Sequence, residues 1–214
     1  MNLKKLFFLF WSCMALGAVV CTLLGLVLQL TDQSFGFLKA DEIGYNVFNM
    51  AVSGFMIGVF SQLGFFAYLT ASYIALSIFR RKFLWTTLQG YSSAFAVFAL
   101  GYMLYGEREK LSDWLYWVLP LALLIGSLIV AYIKVKQTNK SAFVSTIFLM
   151  FVVTVLEAWP SINGEDTNAV SVLFMITPLF ICNAYQILLL HRLVGTTKQE
   201  ADSATITKSA NSAS

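Results

Sequence analysis

Glu157 is the one carboxylate inside an apolar run long enough to cross a bilayer. An ionisable group in that setting is a candidate for ligand or proton handling by default. Trp159 and Pro160 follow it closely, and Trp marks an interface while Pro stops a helix. That pattern places Glu157 at the water-reached outer end of its segment, with no second buried carboxylate to pair with it. Four uncharged polar residues lie deeper, Gln62, Gln89, Asn183 and Gln186. Asn183 and Gln186 are three apart and therefore on one side of a helix. With Glu157 they form a candidate polar site. Such groups usually bond to neighbouring helices, worth about 0.6–2 kcal/mol each, and spacing alone leaves open whether they line a ligand site instead. His191 is the only histidine. A single imidazole cannot assemble a His-based metal site or a His-paired nucleophile, and beside Arg192 it suits the negative end of a helix dipole. Cys13, Cys21 and Cys182 are odd in number, lie in apolar segments and form no C-x-x-C, so neither a disulfide framework nor a metal site follows. No phosphate loop, H-E-x-x-H or G-x-S-x-G is present. The chain therefore reads as a protein without catalytic, metal-ligating or cofactor-binding residues.

The elements that must position these residues follow from composition. Of 214 residues, 58% are hydrophobic and 12% charged. A soluble domain of this length cannot hide so much apolar side chain in one core. The sequence therefore describes an integral membrane protein and excludes a soluble enzyme, a DNA reader and a secreted disulfide scaffold. Six stretches reach or approach the roughly 20 apolar residues of a span, at 6–30, 47–79, 83–105, 114–133, 142–159 and 169–190. Their apolar character is continuous rather than alternating, which excludes a barrel and leaves α-helix, since backbone groups in lipid must bond within the segment. The expected fold is an all-α, six-helix transmembrane bundle over 1–195. The second stretch would reach about 50 Å as one helix. Asn46 to Asn49 are expected at an interface with the membrane part starting near Met50, a long tilted helix being the alternative. The first stretch is too long for a signal-peptide core and carries no cleavage pattern, so it reads as an uncleaved helix. The segment 196–214 is Ser, Thr, Ala and Lys with little to bury, and is expected to be a disordered cytoplasmic tail.

Charge sets the topology. Lys4, Lys5, Arg80, Arg81, Lys82, Lys134, Lys136, Lys140, Arg192, Lys198 and Lys208 fall on one side, eleven of the 14 basic residues. Short loops rich in Lys and Arg stay cytoplasmic, so a multi-pass protein of the cell membrane with both termini cytoplasmic is expected, with Arg80, Arg81 and Lys82 as cytoplasmic anchors. The opposite loops hold Asp32, Asp41, Glu42, Glu107, Glu109, Asp113, Glu165 and Asp166, read as solvated acidic loops.

Small residues define two helix faces. Cys13, Gly17, Cys21 and Gly25 recur every four residues, and Gly54-x-x-x-Gly58 continues towards Ser61, Gln62 and Gly64. Such rows let helices approach closely. They serve packing within the bundle or a contact with a partner's transmembrane helix.

The string Ser61-Gln62-Leu63-Gly64-Phe65-Phe66-Ala67-Tyr68-Leu69-Thr70 resembles the KinB-signalling pathway activation proteins, KbaA, of endospore-forming bacteria. Leu6-Phe7-Phe8-Leu9-Phe10-Trp11 leading to Gly17-Ala18 and Gly25 is similar, as is Ile78-Phe79-Arg80 followed by Trp85 and Gln89. Beyond Gln89 the likeness is one of hydropathy. The resemblance implies an integral membrane accessory of a sensor histidine kinase that promotes entry of phosphate into the sporulation phosphorelay. It brings no catalytic residue with it. The alternative is a small-solute binding subunit resembling the substrate-binding component of a vitamin transporter, with Gln62, Gln89, Asn183 and Gln186 lining an open cavity. An intramembrane enzyme would need Glu157 to meet a nucleophile or metal ligands.

Overall fold

The computed structural model describes residues 3–31, 43–79, 81–106, 115–164 and 168–211, the side chains of the last segment to Leu190. The chain is all-α: α1 (Leu3–Thr31), α2 (Ile43–Ile78), α3 (Lys82–Gly106), α4 (Leu115–Gln137), α5 (Phe143–Ile147), α6 (Thr154–Ile162) and α7 (Ala169–Asn211). A 3-10 turn at Lys140–Ala142 leads into α5, its cap formed by Asn139, whose Oδ1 accepts from the Ser141 amide at 3.1 Å. A π-helical segment, Phe148–Val153, joins α5 to α6, so Lys140–Ile162 forms one rod.

Five helical segments are long and apolar enough to cross a membrane: Lys4–Leu28, Gly44–Ile78, Tyr116–Gln137, Lys140–Ile162 and Ala169–Leu190. Six were expected. The remaining long helix, α3, spans about 37 Å, but Thr86, Thr87, Gln89, Ser92 and Ser93 dilute its apolar content.

α2 is one unbroken helix of about 54 Å. This is the long single helix that the sequence offered as the alternative, and Asn46 near its start is buried. α1 packs against this stretch, where Gly25 leaves room for Met50: a Cβ on Gly25 would stand 2.5 Å from the Met50 Sδ. At the other end of α2, Phe79 stacks on Trp85 with centroids 6.4 Å apart and holds the turn into α3.

The small-residue faces of α1 and α2 meet each other. A Cβ on Gly58 would lie 2.8 Å from the Met14 Cα and 3.1 Å from the Cys13 carbonyl oxygen. One on Gly54 would lie 2.8 Å from the Ala18 Cα and collide with Cys21, and one on Gly17 would collide with the Gly54 carbonyl. The two backbones touch because side chains are missing on both sides. The Cys13 thiol points at the Gly58 carbonyl, 3.9 Å away. The face offered by sequence as a partner contact is thus used inside the chain.

α7 packs on α1, α2, α4 and α6 and forms the centre of the bundle. Two apolar clusters fill the interior. Leu104, Leu123, Phe151, Ile162, Val172 and Ile176 belong to one, towards the end where α7 begins. Leu9, Phe65, Val130, Leu149, Met150 and Ile187 belong to the other. Lys134, expected in a loop, lies within α4 with its side chain buried and its Nζ donating to the Ile187 carbonyl at 2.5 Å. The backbone of α7 continues as helix to Asn211, into the segment expected to lack regular structure. No proline interrupts the chain after Pro178.

Replacing Gly58 or Gly17 by Leu should lower the melting temperature of the purified chain sharply, since overpacking costs about 1–3 kcal/mol even where side chains alone must move. Gly101 has nothing within 4 Å of its missing Cβ, so Gly101→Ala should leave stability unchanged or raise it by up to about 1 kcal/mol. Thermal unfolding of the three variants in detergent checks the order.

Candidate functional site

A polar layer separates the two apolar clusters, built from residues of four helices. Asn183 on α7 is its hub. Its Oδ1 accepts from the Ser61 hydroxyl of α2 at 2.8 Å, and its Nδ2 donates to the Thr154 hydroxyl at 3.0 Å and to Glu157 Oε2 at 2.8 Å, both on α6. One turn on, the Gln186 Nε2 donates to the Ser61 hydroxyl at 2.6 Å and to the Cys13 sulfur of α1 at 3.0 Å. Cys182 points its thiol at the Cys13 carbonyl, 3.8 Å away. Ser61, Thr154, Asn183, Gln186, Cys13 and Cys182 are all fully buried.

Local sequence explains how these groups reach one level. Ser61 lies on the α2 face that contacts α7. Asn183 and Gln186 share one side of α7 by their spacing of three. Thr154 and Glu157 share one side of α6 for the same reason. The π-helical segment just before them closes i to i+5 rather than i to i+4 and so resets the angle at which α6 presents its residues.

Glu157 is half-buried and lies about 7.5 Å along its rod from Ile162, with its carboxylate turned towards α2 and α7. Its carboxylate fits against Gly64 on α2, where a Cβ would overlap Oε1 and stand 2.6 Å from Cδ. Gly64 is about 31 Å along α2 from Ile43 and about 21 Å from Ile78. The carboxylate therefore meets α2 well away from either end of that helix. Trp159 remains half-exposed, and the two residues separating it from Glu157 turn the helix by about 200°, so the two side chains face opposite ways. Trp159 thus faces outward while the Glu157 carboxylate faces α2 and α7. Gly64, grouped by sequence with the packing glycines, plays a different part, because it makes room for the carboxylate.

Oε1 of Glu157, Oε1 of Gln186 and both side-chain polar atoms of Gln62 are buried without a hydrogen-bond partner. Gln62 is fully buried and does not join the layer. Gln89 belongs elsewhere: its Nε2 donates to the Tyr68 hydroxyl at 3.5 Å, and its Oε1 accepts from the Ser145 hydroxyl at 3.2 Å, tying α3 to α2 and α5. Thr154, Tyr68, Ser145 and Lys134 were missed as members of polar contacts. The spacing of three between Thr154 and Glu157 was the one signal that pointed to any of them.

The chemistry open to the layer is narrow. Among the described residues no group of three or more His, Cys, Asp or Glu stands together as a metal site, and the direct partner of Glu157 is an amide. Three grooves are described: one of about 360 Å³ lined by Ser93, Val97, Phe98, Leu124 and Phe151, one of about 260 Å³ along Ala18, Thr22 and Ala51, and one of about 230 Å³ formed by Gln137, Tyr185, Leu188 and Leu189. Gln62, Gln89, Asn183 and Gln186 line none of these three. Arg81 and Lys82 are exposed, Lys82 with its Nζ 3.5 Å from the Ser141 hydroxyl. Arg80 and the acidic loop residues lie outside the described residues, and so does the side chain of His191.

One face of α3 is exposed among the described residues. Leu84, Leu88, Tyr91, Phe95, Phe98 and Tyr102 run along it at alternating steps of four and three, and all are exposed, Tyr102 by 81%, while Tyr105 beyond them meets the ring of Tyr116 edge-on at 5.8 Å. The opposite face of α3 buries Gln89, Ser93, Leu100 and Leu104. A row alternating four and three has a period of 3.5, the seam spacing of helices that interlock side by side.

The family described as KinB-signalling pathway activation in sporulation, KbaA, matches residues 17–193. The chain is 38% identical over 187 residues to the KinB-signaling pathway activation protein of Bacillus subtilis (strain 168), covering 85% of this chain and 92% of that protein. No solved structure matches.

Gly64 and Glu157 should be coupled. Gly64→Ala alone should destabilise the chain by driving the carboxylate out of its recess, and in a Glu157→Ala background the same change should cost little. The coupling free energy expected for two groups in contact is about 0.5–3 kcal/mol. A double-mutant cycle on melting temperature measures it, and additive single effects would refute the recess.

Proposed function

We propose, from the premise that this chain belongs to the KbaA family of KinB-signalling pathway activators, that it is an integral membrane accessory which activates a sporulation sensor histidine kinase. The five long apolar helices support membrane integration, with α3 as the sixth span held against α2, α4 and the Lys140–Ile162 rod. Arg81, Lys82, Lys134, Lys136 and Lys140 gather at the end where α2 finishes and α3 begins, which supports a cytoplasmic location of that end and of both termini.

Activation by helix contact requires a face the bundle has not used. The glycine rows of α1 and α2 do not qualify, because each fills the other. The observation that carries the reading is the α3 seam from Leu84 to Tyr102. It belongs to the long helix least suited to lipid by composition, and Tyr91 sets a hydroxyl about 13 Å along α3 from Lys82, where acyl chains offer no acceptor. A transmembrane helix of the kinase would interlock with the seam and cover it. Docking changes the kinase's output only through a difference in affinity for its off and on states, so the aromatic row must fit one arrangement of the kinase helices better than the other. The buried polar layer serves this role by keeping α3's neighbours in a single register.

Deleting the gene should lower sporulation in cells whose phosphorelay runs through this kinase and should add no defect once the kinase gene is removed. Phe95→Ala with Phe98→Ala should cut kinase-dependent reporter output by roughly tenfold or more, as loss of one central interface anchor of about 2 kcal/mol would, at unchanged protein level. Full output from the double variant would sink the α3 contact, and a deletion defect that persists without the kinase would sink the whole reading.

A further inference from the structure

We infer that Gln89 is a positioning residue for the kinase contact: its hydrogen-bonded ring with Tyr68 and Ser145 sets the angle at which the α3 seam faces outward. The inference rests on the reading of that seam given above and adds what aims it. Four residues of α3 are buried, Gln89, Ser93, Leu100 and Leu104. The two leucines pack in an apolar cluster, and apolar burial is non-directional. Ser93 spends its hydroxyl on the Gln89 carbonyl of its own helix, at 2.7 Å. Of the four, Gln89 is the one whose side chain bonds to other helices. It is fully buried, and two residues separate it from Tyr91, a turn of about 200° around the axis. The side chain that fastens α3 from behind thus stands opposite the face that points away.

The three side chains close on one another. Gln89 Nε2 donates to the Tyr68 hydroxyl at 3.5 Å, and that hydroxyl donates to the Ser145 carbonyl at 3.4 Å. The Ser145 hydroxyl donates back to Gln89 Oε1 at 3.2 Å. One member comes from each of α2, α3 and α5. Beside them Trp85, one turn before Gln89, stacks on Phe79 and meets Phe148, which meets Tyr68 at 6.0 Å. The aromatic contacts hold α3 near its neighbours, and the amide bonds, being directional, fix its rotation. Further along, the packing opens. The groove of about 360 Å³ separates Ala94, Val97 and Phe98 from Leu124 and Phe151, which leaves this stretch of α3 room to turn. A turn of about 30° carries a side chain at an outer radius of roughly 5–6 Å by about 3 Å, enough to take a knob out of its hole. With the ring broken, a smaller fraction of chains holds the seam at the binding angle. The apparent affinity for the kinase falls with that fraction.

The test places a photo-crosslinking phenylalanine analogue at position 95 of the full-length chain, in cells that express the kinase, and counts captured kinase per chain. Parallel chains carry the analogue at positions 94 and 99, on the two flanks of the seam. Gln89→Leu should lower capture from position 95 roughly fivefold, the factor matching one hydrogen bond's net worth, and raise capture from a flank. Kinase-dependent reporter output should fall by a similar factor. Ser93→Ala, which removes a buried hydroxyl bonded only within α3, should leave both readouts unchanged. Unchanged capture in a Gln89→Leu chain at normal protein level overturns the positioning role and leaves the seam standing. Loss at position 95 with no gain at either flank means a loosened bundle rather than a turned helix, and overturns it too. So does an equal loss in Ser93→Ala. If Gln89→Leu does not accumulate, Tyr68→Phe decides: it removes the acceptor of the Gln89 amide and should move capture in the same way, and unmoved capture overturns the role. Absence of capture from position 95 in the otherwise unaltered chain sinks the seam itself, and this inference with it.

Discussion

The hydrogen bonds of Asn183 are the constraint around which the bundle is arranged. The amide sits on the central helix α7, fully buried, between two apolar clusters that supply no polar partner. A polar group in that position must be satisfied by protein atoms or it costs more than it contributes. Ser61, Thr154 and Glu157 satisfy it from α2 and α6. Each of those contacts is directional, so α2 and α6 can slide along α7 by very little before a bond is lost. Apolar packing tolerates a shift of one turn far better than a buried amide does, and the polar layer thus selects one register among many that the leucines and phenylalanines would accept.

Satisfying Asn183 sets further requirements. The carboxylate of Glu157 must come close to α2, and only a residue without a Cβ leaves space for it, which is where Gly64 stands. α1 must approach Gln186 closely enough for the Cys13 sulfur to accept its amide, and the glycine contacts of α1 with α2 bring it there. The two kinds of glycine therefore cooperate. Gly17, Gly54 and Gly58 draw two backbones together, and Gly64 admits a single side chain. The π-helical segment before Thr154 belongs to the same arrangement, since it sets the angle from which α6 offers its two polar residues.

The small-residue faces of α1 and α2 are occupied by each other. Much of the remaining exposed surface of the long helices is apolar. Aromatic residues at alternating steps on α3 depart from that, because a helix with threonines, serines and a glutamine along its length gains less from lipid than its neighbours do. A family whose members act in the activation of a kinase pathway needs such a surface more than it needs a reaction centre.

The helices and the family were legible in the chain alone. Long continuous apolar runs leave no other backbone solution in an apolar solvent, and the string from Ser61 to Thr70 carried the resemblance that the family match now shows. The rows of Cys13, Gly17, Cys21 and Gly25, and of Gly54 and Gly58, were legible as packing faces because every fourth residue of a helix returns to one side. The partner of each face was not legible, since pattern gives a direction around one axis and says nothing about which other axis lies there. Glu157 shows the limit most clearly. Its neighbours in sequence, Trp159 and Pro160, gave no hint of its neighbours in space, Gly64 and Asn183, which hold the carboxylate against α2 and α7. Lys134 read as a loop residue because charge usually ends a span, and it became a buried donor because Ile187 of a helix far along the chain presents a carbonyl to it. Such positions are set by the packing of helices against one another, because the cost of burying a polar group depends on which group from another helix meets it.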